Sequence, residues 1–178
     1  MNLINKYSFD LAKPEDSEDI LKVRNQLETR KSSFNKDIIT QDDHNRWFEK
    51  QLKSNFFHYY ILRNINNDFI GLGYGDRFNE SDNSCFWGIR VMTGLPRKNK
   101  YGSIVKYLTY EKLFSLRKID KIYGQVIKGY EWIRDWYIRS GNELINFDEK
   151  KQCYNLVLYK DRWQKKKKLI LNKINNIN

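Results

Sequence analysis

The chain has 178 residues and carries 33 Lys and Arg against 22 Asp and Glu, a formal charge of +11. That length suits one domain able to bury a sizeable core, and 12 Tyr, 10 Phe and 5 Trp against 9 Gly and 2 Pro argue against general disorder. No apolar run is long enough for a membrane span, the opening MNLINKYSFD lacks the apolar segment of a secretory signal, and Cys85 and Cys153 are too few for a disulfide framework or a structural zinc cluster. The expected compartment is the cytoplasm.

Tyr7 to Ala12 reads as a first strand, broken by Lys13-Pro14-Glu15-Asp16. Ile20, Leu21, Val23, Arg24 and Leu27 recur at roughly helical spacing, which predicts a helix from about Asp16 to Arg30. Ser32 to Ile39 is a loop. Thr40-Gln41-Asp42-Asp43 has the spacing of a capping box with Asp in place of Glu, and the helix it opens puts His44, Trp47, Phe48 and Leu52 on neighbouring turns. Three strands follow, His58 to Arg63, Phe69 to Phe78 and Cys85 to Met92, and their short polar connections predict an antiparallel meander. A basic loop from Thr93 to Tyr101 leads into a helix, Gly102 to Leu116. Then come a strand, Ile122 to Ile127, and a helix, Glu131 to Arg139, closed by Ser140-Gly141-Asn142 with Gly141 at a C′ position. Leu144 to Phe147 and Tyr154 to Tyr159 form a final hairpin.

Residues 160–178 hold seven basic residues and one acid, so +6 of the total +11 lies there and +5 remains for the body. The chain divides accordingly into a domain over 1–160 and a basic C-terminal extension over 161–178. One reading of the Lys165 to Lys168 run is contact with nucleic acid or an anionic surface. The other is a solvated end, a short helix with Leu169, Ile170 and Ile174 on one side. The run lacks the interleaved aromatics of a stacking platform, so no nucleic-acid partner is expected.

The order of elements resembles the GNAT N-acetyltransferase fold. That likeness implies a mixed α/β chain with a mostly antiparallel central sheet, one splayed parallel strand pair and flanking helices. Two motifs make it more specific. The family's acyl-CoA loop, Arg/Gln-x-x-Gly-x-Gly/Ala, is matched by Arg97-Lys98-Asn99-Lys100-Tyr101-Gly102 and then Ser103, with Lys100 standing where the first Gly is expected. The family's late strand and helix, ending in Tyr-x-x-x-Gly-Phe, are matched by Gly124-Gln125-Val126 and by Tyr137 and Gly141, with Asn142 in place of Phe and Tyr130 at the helix start. In the N-terminal half, Val23-Arg24-Asn25, Arg30, Ile39-Thr40, His44 and Trp47-Phe48 resemble the nucleotide-amino-sugar acetyltransferases, including the enzyme for a UDP-4-amino-4,6-dideoxy sugar in pseudaminic acid biosynthesis. The likeness runs from about Phe9 to Tyr159 and continues through Trp87-Gly88-Ile89.

The resemblance implies acetyl-CoA as co-substrate and no metal. It assigns Met92, Arg97, Lys98, Lys100, Tyr101, Gly102, Ser103 and Tyr130 to that cofactor. It assigns Arg24, Asn25, Arg30, His44, Trp47 and Trp87 to the acceptor. Tyr137 falls where the family often places a general acid near the CoA sulfur, and a phenol's high pKa suits donation. Read from spacing alone, it is a core aromatic on a helix already rich in Trp. His44 has three readings: base, substrate contact or structural residue. His58 reads as structural, and Glu131 as a favourable first-turn acid. Neither Cys has a histidine arrangement suggesting an acyl-cysteine intermediate, so direct transfer is expected. The expected function is therefore acetyl transfer to the amino group of a nucleotide-linked amino sugar, for surface glycan or polysaccharide biosynthesis, by a monomer or homodimer. The alternatives are a GNAT enzyme for a protein N-terminus or small amine, and a non-catalytic basic nucleic-acid-binding module.

Overall fold

A computed structural model describes residues 3–116 and 118–176, with Arg97 described in its backbone only. Strand β1 (Tyr7–Leu11) leads through a short 3-10 turn at Pro14–Asp16 into α1 (Ser17–Asn25) and α2 (Leu27–Lys31), followed by α3 (Gln41–Leu52). The meander is β2 (His58–Asn64), β3 (Phe69–Asn79) and β4 (Ser84–Val91). Helix α4 (Tyr101–Ser115), β5 (Lys121–Ile127), α5 (Glu131–Arg139), β6 (Glu143–Asp148), β7 (Cys153–Tyr159) and α6 (Lys160–Asn175) complete the chain.

The seven strands form one sheet in the order β1-β2-β3-β4-β5-β7-β6. All neighbours are antiparallel except β4 and β5, which run parallel. Their register covers only Ser84–Lys121, Cys85–Ile122 and Phe86–Tyr123. Beyond it the two strands part, where the indole of Trp87 lies against Gly124. The hairpin of β6 and β7 forms, but β7 inserts between β5 and β6.

Adjacent residues on a strand face opposite sides of the sheet, and this builds two cores. Leu62, Cys85 and Trp87 pack with Ile104, Tyr110 and Leu113 of α4 and with Tyr137 of α5, and Ile70, at the register shift between β2 and β3, joins them. Ile61 and Leu72, on the other face, pack with Ile20, Val23 and Phe48 of α1 and α3. The Thr40 cap forms at the start of α3, where its Oγ1 accepts from the Asp43 N–H at 3.1 Å.

Two expectations change. The helix read from Asp16 to Arg30 is two helices, because Gln26 is extended with ψ 141°. Its side chain explains the break. Gln26 Oε1 accepts from the Thr93 N–H at 2.6 Å and from the Thr93 hydroxyl at 2.8 Å, joining α1 and α2 to the end of β4. The basic end is not a solvated extension either. Trp163 and Ile174 of α6 are buried in the larger core, so the packed domain continues past residue 160.

Candidate active site

The parting of β4 and β5 opens a cavity of about 1000 Å³. Ile89, Arg90 and Val91 form one wall and Gln125, Val126 and Ile127 the other. The start of α4 closes one end with Lys100, Tyr101, Gly102 and Ser103, and α5 supplies Tyr130, Trp136 and Tyr137. The N–H groups of Ser103 and Ile104 both turn back to Lys100 O, at 2.8 and 3.1 Å. The earlier amides of the helix, Tyr101 and Gly102, are then the open N-terminal donors that suit phosphate. Unpaired strand edges flank this cavity and a helix N-terminus ends it, where the resemblance in sequence leads one to expect acetyl-CoA.

Six of the eight residues assigned to that ligand from sequence line this cavity: Met92, Lys100, Tyr101, Gly102, Ser103 and Tyr130. Lys98 is exposed and does not line it, and the side chain of Arg97 lies outside the described residues. Lys100 has φ +54°, the left-handed conformation that glycine adopts at least cost, which accounts for the glycine expected there. Its ammonium turns away from the cavity's helix start and donates to Lys173 O at 2.7 Å and Asn176 O at 2.8 Å.

Tyr137 is buried, with its ring against Trp87 at 4.7 Å between centroids. Burial pushes its phenol pKa well up, opposed by the charge of Arg90. Tyr137 is therefore protonated at neutral pH. Trp87 lines no described cavity; it packs edge-on to Tyr110 and Tyr137.

A second cavity of about 640 Å³ lies between α1, α3 and the sheet. Arg24, His44, Trp47, Tyr59, Tyr74 and Arg90 line it, with Asn35, Asp37, Ile38 and Ile39 contributing from the loop. Tyr59 and Tyr74 stack at 4.8 Å and give it a flat aromatic wall. The loop is fixed by residues expected to touch an acceptor. Asn25 donates to Ile39 O and accepts from the Ile39 N–H, at 2.8 and 2.9 Å. Arg30 donates to Asn25 O and to Lys36 O. The structure thus places Asn25 and Arg30 behind the cavity wall rather than on it.

His44 is buried, with Nε2 3.1 Å from Ser17 Oγ and its ring stacked on Phe48. Burial lowers its pKa, so the imidazole is neutral at neutral pH. His58 packs on Phe78 and lines neither cavity. Glu131 accepts from the Gly129 N–H and from the Tyr154 hydroxyl, as a local cap. Sequence reasoning missed Arg90, Tyr59 and Tyr74. The signal for Arg90 was a lone charge inside the otherwise apolar run Cys85 to Met92.

Among the described residues, no group of three or more His, Cys, Asp or Glu could hold a metal ion, and no helix is long and apolar enough to cross a membrane. No protein-family model matches the chain, and no curated protein matches it in sequence. Solved structures do match in fold. One is the spermidine N-acetyltransferase from Vibrio cholerae, in complex with CoA and spermine: TM-score 0.77 and 13% identity, covering 90% of this chain and 99% of that one. Another is FdhC, described as a nucleotide-linked sugar GNAT: TM-score 0.76 and 17% identity, covering 98% of this chain and 96% of that one. The fold is that of the GNAT acetyltransferases, a mixed α/β fold with one parallel strand pair.

Proposed function

We propose that the chain is an acetyl-CoA-dependent N-acetyltransferase that passes the acetyl group directly to a small amine. The observation that carries this is the parted β4–β5 pair, opening onto a cavity with the start of α4 at one end and Tyr137 on its wall. Acetyl-CoA supplies the activated acyl group. The amine nitrogen bonds to the thioester carbon, the carbon–sulfur bond breaks, and the thiolate takes a proton. Tyr137, held protonated by burial, is the donor. The amine must give up a proton to attack. His44, kept neutral in the second cavity, is the candidate to take it. The thiol of Cys85 is buried and its pKa pushed up to about 12, which supports direct transfer over an acyl-cysteine route.

The test is thiol release from acetyl-CoA with a panel of amines: spermidine, a peptide N-terminus, and UDP- and dTDP-linked amino sugars. Turnover of none, with no binding of acetyl-CoA, overturns the reading. Tyr137→Phe is expected to bind acetyl-CoA normally and to lose about 10²-fold or more in kcat. Wild-type turnover in that variant would remove Tyr137 from the chemistry. For His44→Gln a loss of about the same size is expected at neutral pH, and a loss under about tenfold would make His44 structural.

Within the small-amine class, likeness in fold to spermidine acetyltransferases supports a polyamine acceptor. A specific observation favours the nucleotide-linked amino sugar instead. The second cavity holds the half-buried Arg24, whose NH1 has no hydrogen-bond partner, beside an aromatic wall of Tyr59 and Tyr74. An arginine in that setting suits phosphate, and flat rings suit a base or sugar face.

A further inference from the structure

Arg90 is the one described residue that lines both cavities. It lies opposite Leu72 on the strand ladder, with its guanidinium 5.8 Å from the ring of Tyr74. Its own hydrogen bonds are few. NH1 donates to Ile89 O at 2.7 Å and NH2 reaches Ser33 Oγ at 3.4 Å, while Nε is buried with no partner. Arg24 repeats the pattern across the cavity: NH2 donates to Asn35 O at 2.9 Å and NH1 is buried without a partner. Neither guanidinium pairs with a carboxylate among the described residues. The carboxylates that line this cavity, Asp37 and Asp43, are on exposed residues, and Asp43 is already engaged by Thr40 and Arg46.

Two partly desolvated cations that face one cavity without counter-ions repel each other, and the repulsion shows as a lowered pKa for Arg24 caused first by burial and then by Arg90. Such a pair is costly unless something anionic completes it. We propose that Arg90 is the specificity-determining residue at the junction of the two cavities, selecting with Arg24 an acceptor that carries a phosphate or carboxylate near its amine and excluding polycationic amines. This rests on the assignment of the smaller cavity to the acceptor. Because Arg90 borders both spaces, an anion held there leaves the rest of the acceptor within the smaller cavity and its near end at the mouth of the larger one.

The test uses the full-length protein saturated with CoA, so that the larger cavity is filled. Calorimetric titrations with UDP, inorganic pyrophosphate, succinate and spermine separate phosphate from carboxylate and anion from cation. Binding of at least one anion and none of spermine is expected. Arg90→Gln is expected to weaken that anion by about tenfold or more, while Arg90→Lys, which keeps the charge, loses less. Spermine binding without any anion binding would overturn the proposal, and so would equal anion affinity in wild type and Arg90→Gln. Arg90→Lys guards against a folding defect in the glutamine variant, and both are checked by thermal melting. Acetyl-CoA binding is measured separately. Its absence would defeat the transferase reading alone, whereas acetyl-CoA turnover with spermidine and no anion response would defeat the Arg90 assignment alone.

Discussion

Lys106 stands in the middle of α4 with almost no solvent contact, 1% exposed, and no carboxylate among its described partners. Its ammonium donates to Ser140 Oγ at 2.5 Å and lies 3.4 Å from the ring centre of Trp136, and Ser140 in turn donates to Trp136 O. This links α4 to the α5 segment that carries Tyr137. Burial, with the like charge of Arg139, pushes the Lys106 pKa from 10.5 down to about 7. The sign follows from proton counting. Between about 7 and 10.5 the unfolded chain holds a proton that the folded chain lacks, so this group makes stability rise with pH across that window. Below about 7 both states are protonated, and the group adds no further pH dependence. Lys106→Met keeps the stem and removes the charge. Near pH 6 it is expected to melt higher than the wild type by roughly 2–4 °C for each kcal/mol gained. That gap should shrink as the pH approaches 10, measured by melting curves across pH. A gap that stays constant with pH would mean that the buried charge is not its source.

At the scale of the elements, the site depends on how closely α4 lies against the sheet. Gly73 of β3 is where they meet. A Cβ there would lie 1.8 Å from Thr109 Oγ1 and 2.9 Å from Thr109 Cβ, and that hydroxyl is already committed to Val105 O at 2.7 Å. Gly73→Ala is therefore expected to cost about 1–3 kcal/mol in denaturant unfolding. Adding Thr109→Ala should recover part of it, a non-additive pair. If the two losses simply add, the contact is not the cause. The elements themselves were largely legible in the sequence, since most depend on local signals. Thr40 caps α3, and Gly141 follows α5 with φ +110°, as their positions suggested. The break at Gln26 was not legible, because its cause is a pair of hydrogen bonds to a residue 67 positions away. The site divides the same way. The stretch from Lys100 to Ser103 is contiguous and could be found as a motif. The second cavity is assembled from α1, α3, three strands and a loop, and nothing local in Tyr59, Tyr74 or Arg90 marks them as neighbours. Asn25 and Arg30 carried the right residue types, but their donors were already claimed by the loop carbonyls of Ile39 and Lys36.

At the scale of the whole molecule, the basic end that dominated the charge count is a structural helix. Trp163 has 0% exposure, packs edge-on to Tyr107 and Tyr110 of α4, and donates from Nε1 to Glu111 at 2.5 Å. Lys167 pairs with the same carboxylate, and Arg162 with Glu143 of β6. At the far end, Asn175 accepts from the Leu3 N–H, and Lys100 caps the last carbonyls. Helix α6 thus touches the start of the chain, the middle of α4 and the loop that precedes it. Trp163→Ala is expected to cost about 3–5 kcal/mol, the usual price of emptying an aromatic site in a core. Against a typical stability of about 5–15 kcal/mol that is a large share, so the variant should unfold at much lower denaturant. Trp163→Phe keeps most of the ring volume but leaves Glu111 with Lys167 alone, so a smaller loss is expected. Because the same helix is tied to Lys100, the alanine variant should also bind acetyl-CoA more weakly below its melting temperature, measured by titration at low temperature. An unfolding midpoint for Trp163→Ala close to that of the wild type would show α6 to be an appendage after all, and the +6 it carries would again be free for an outside partner.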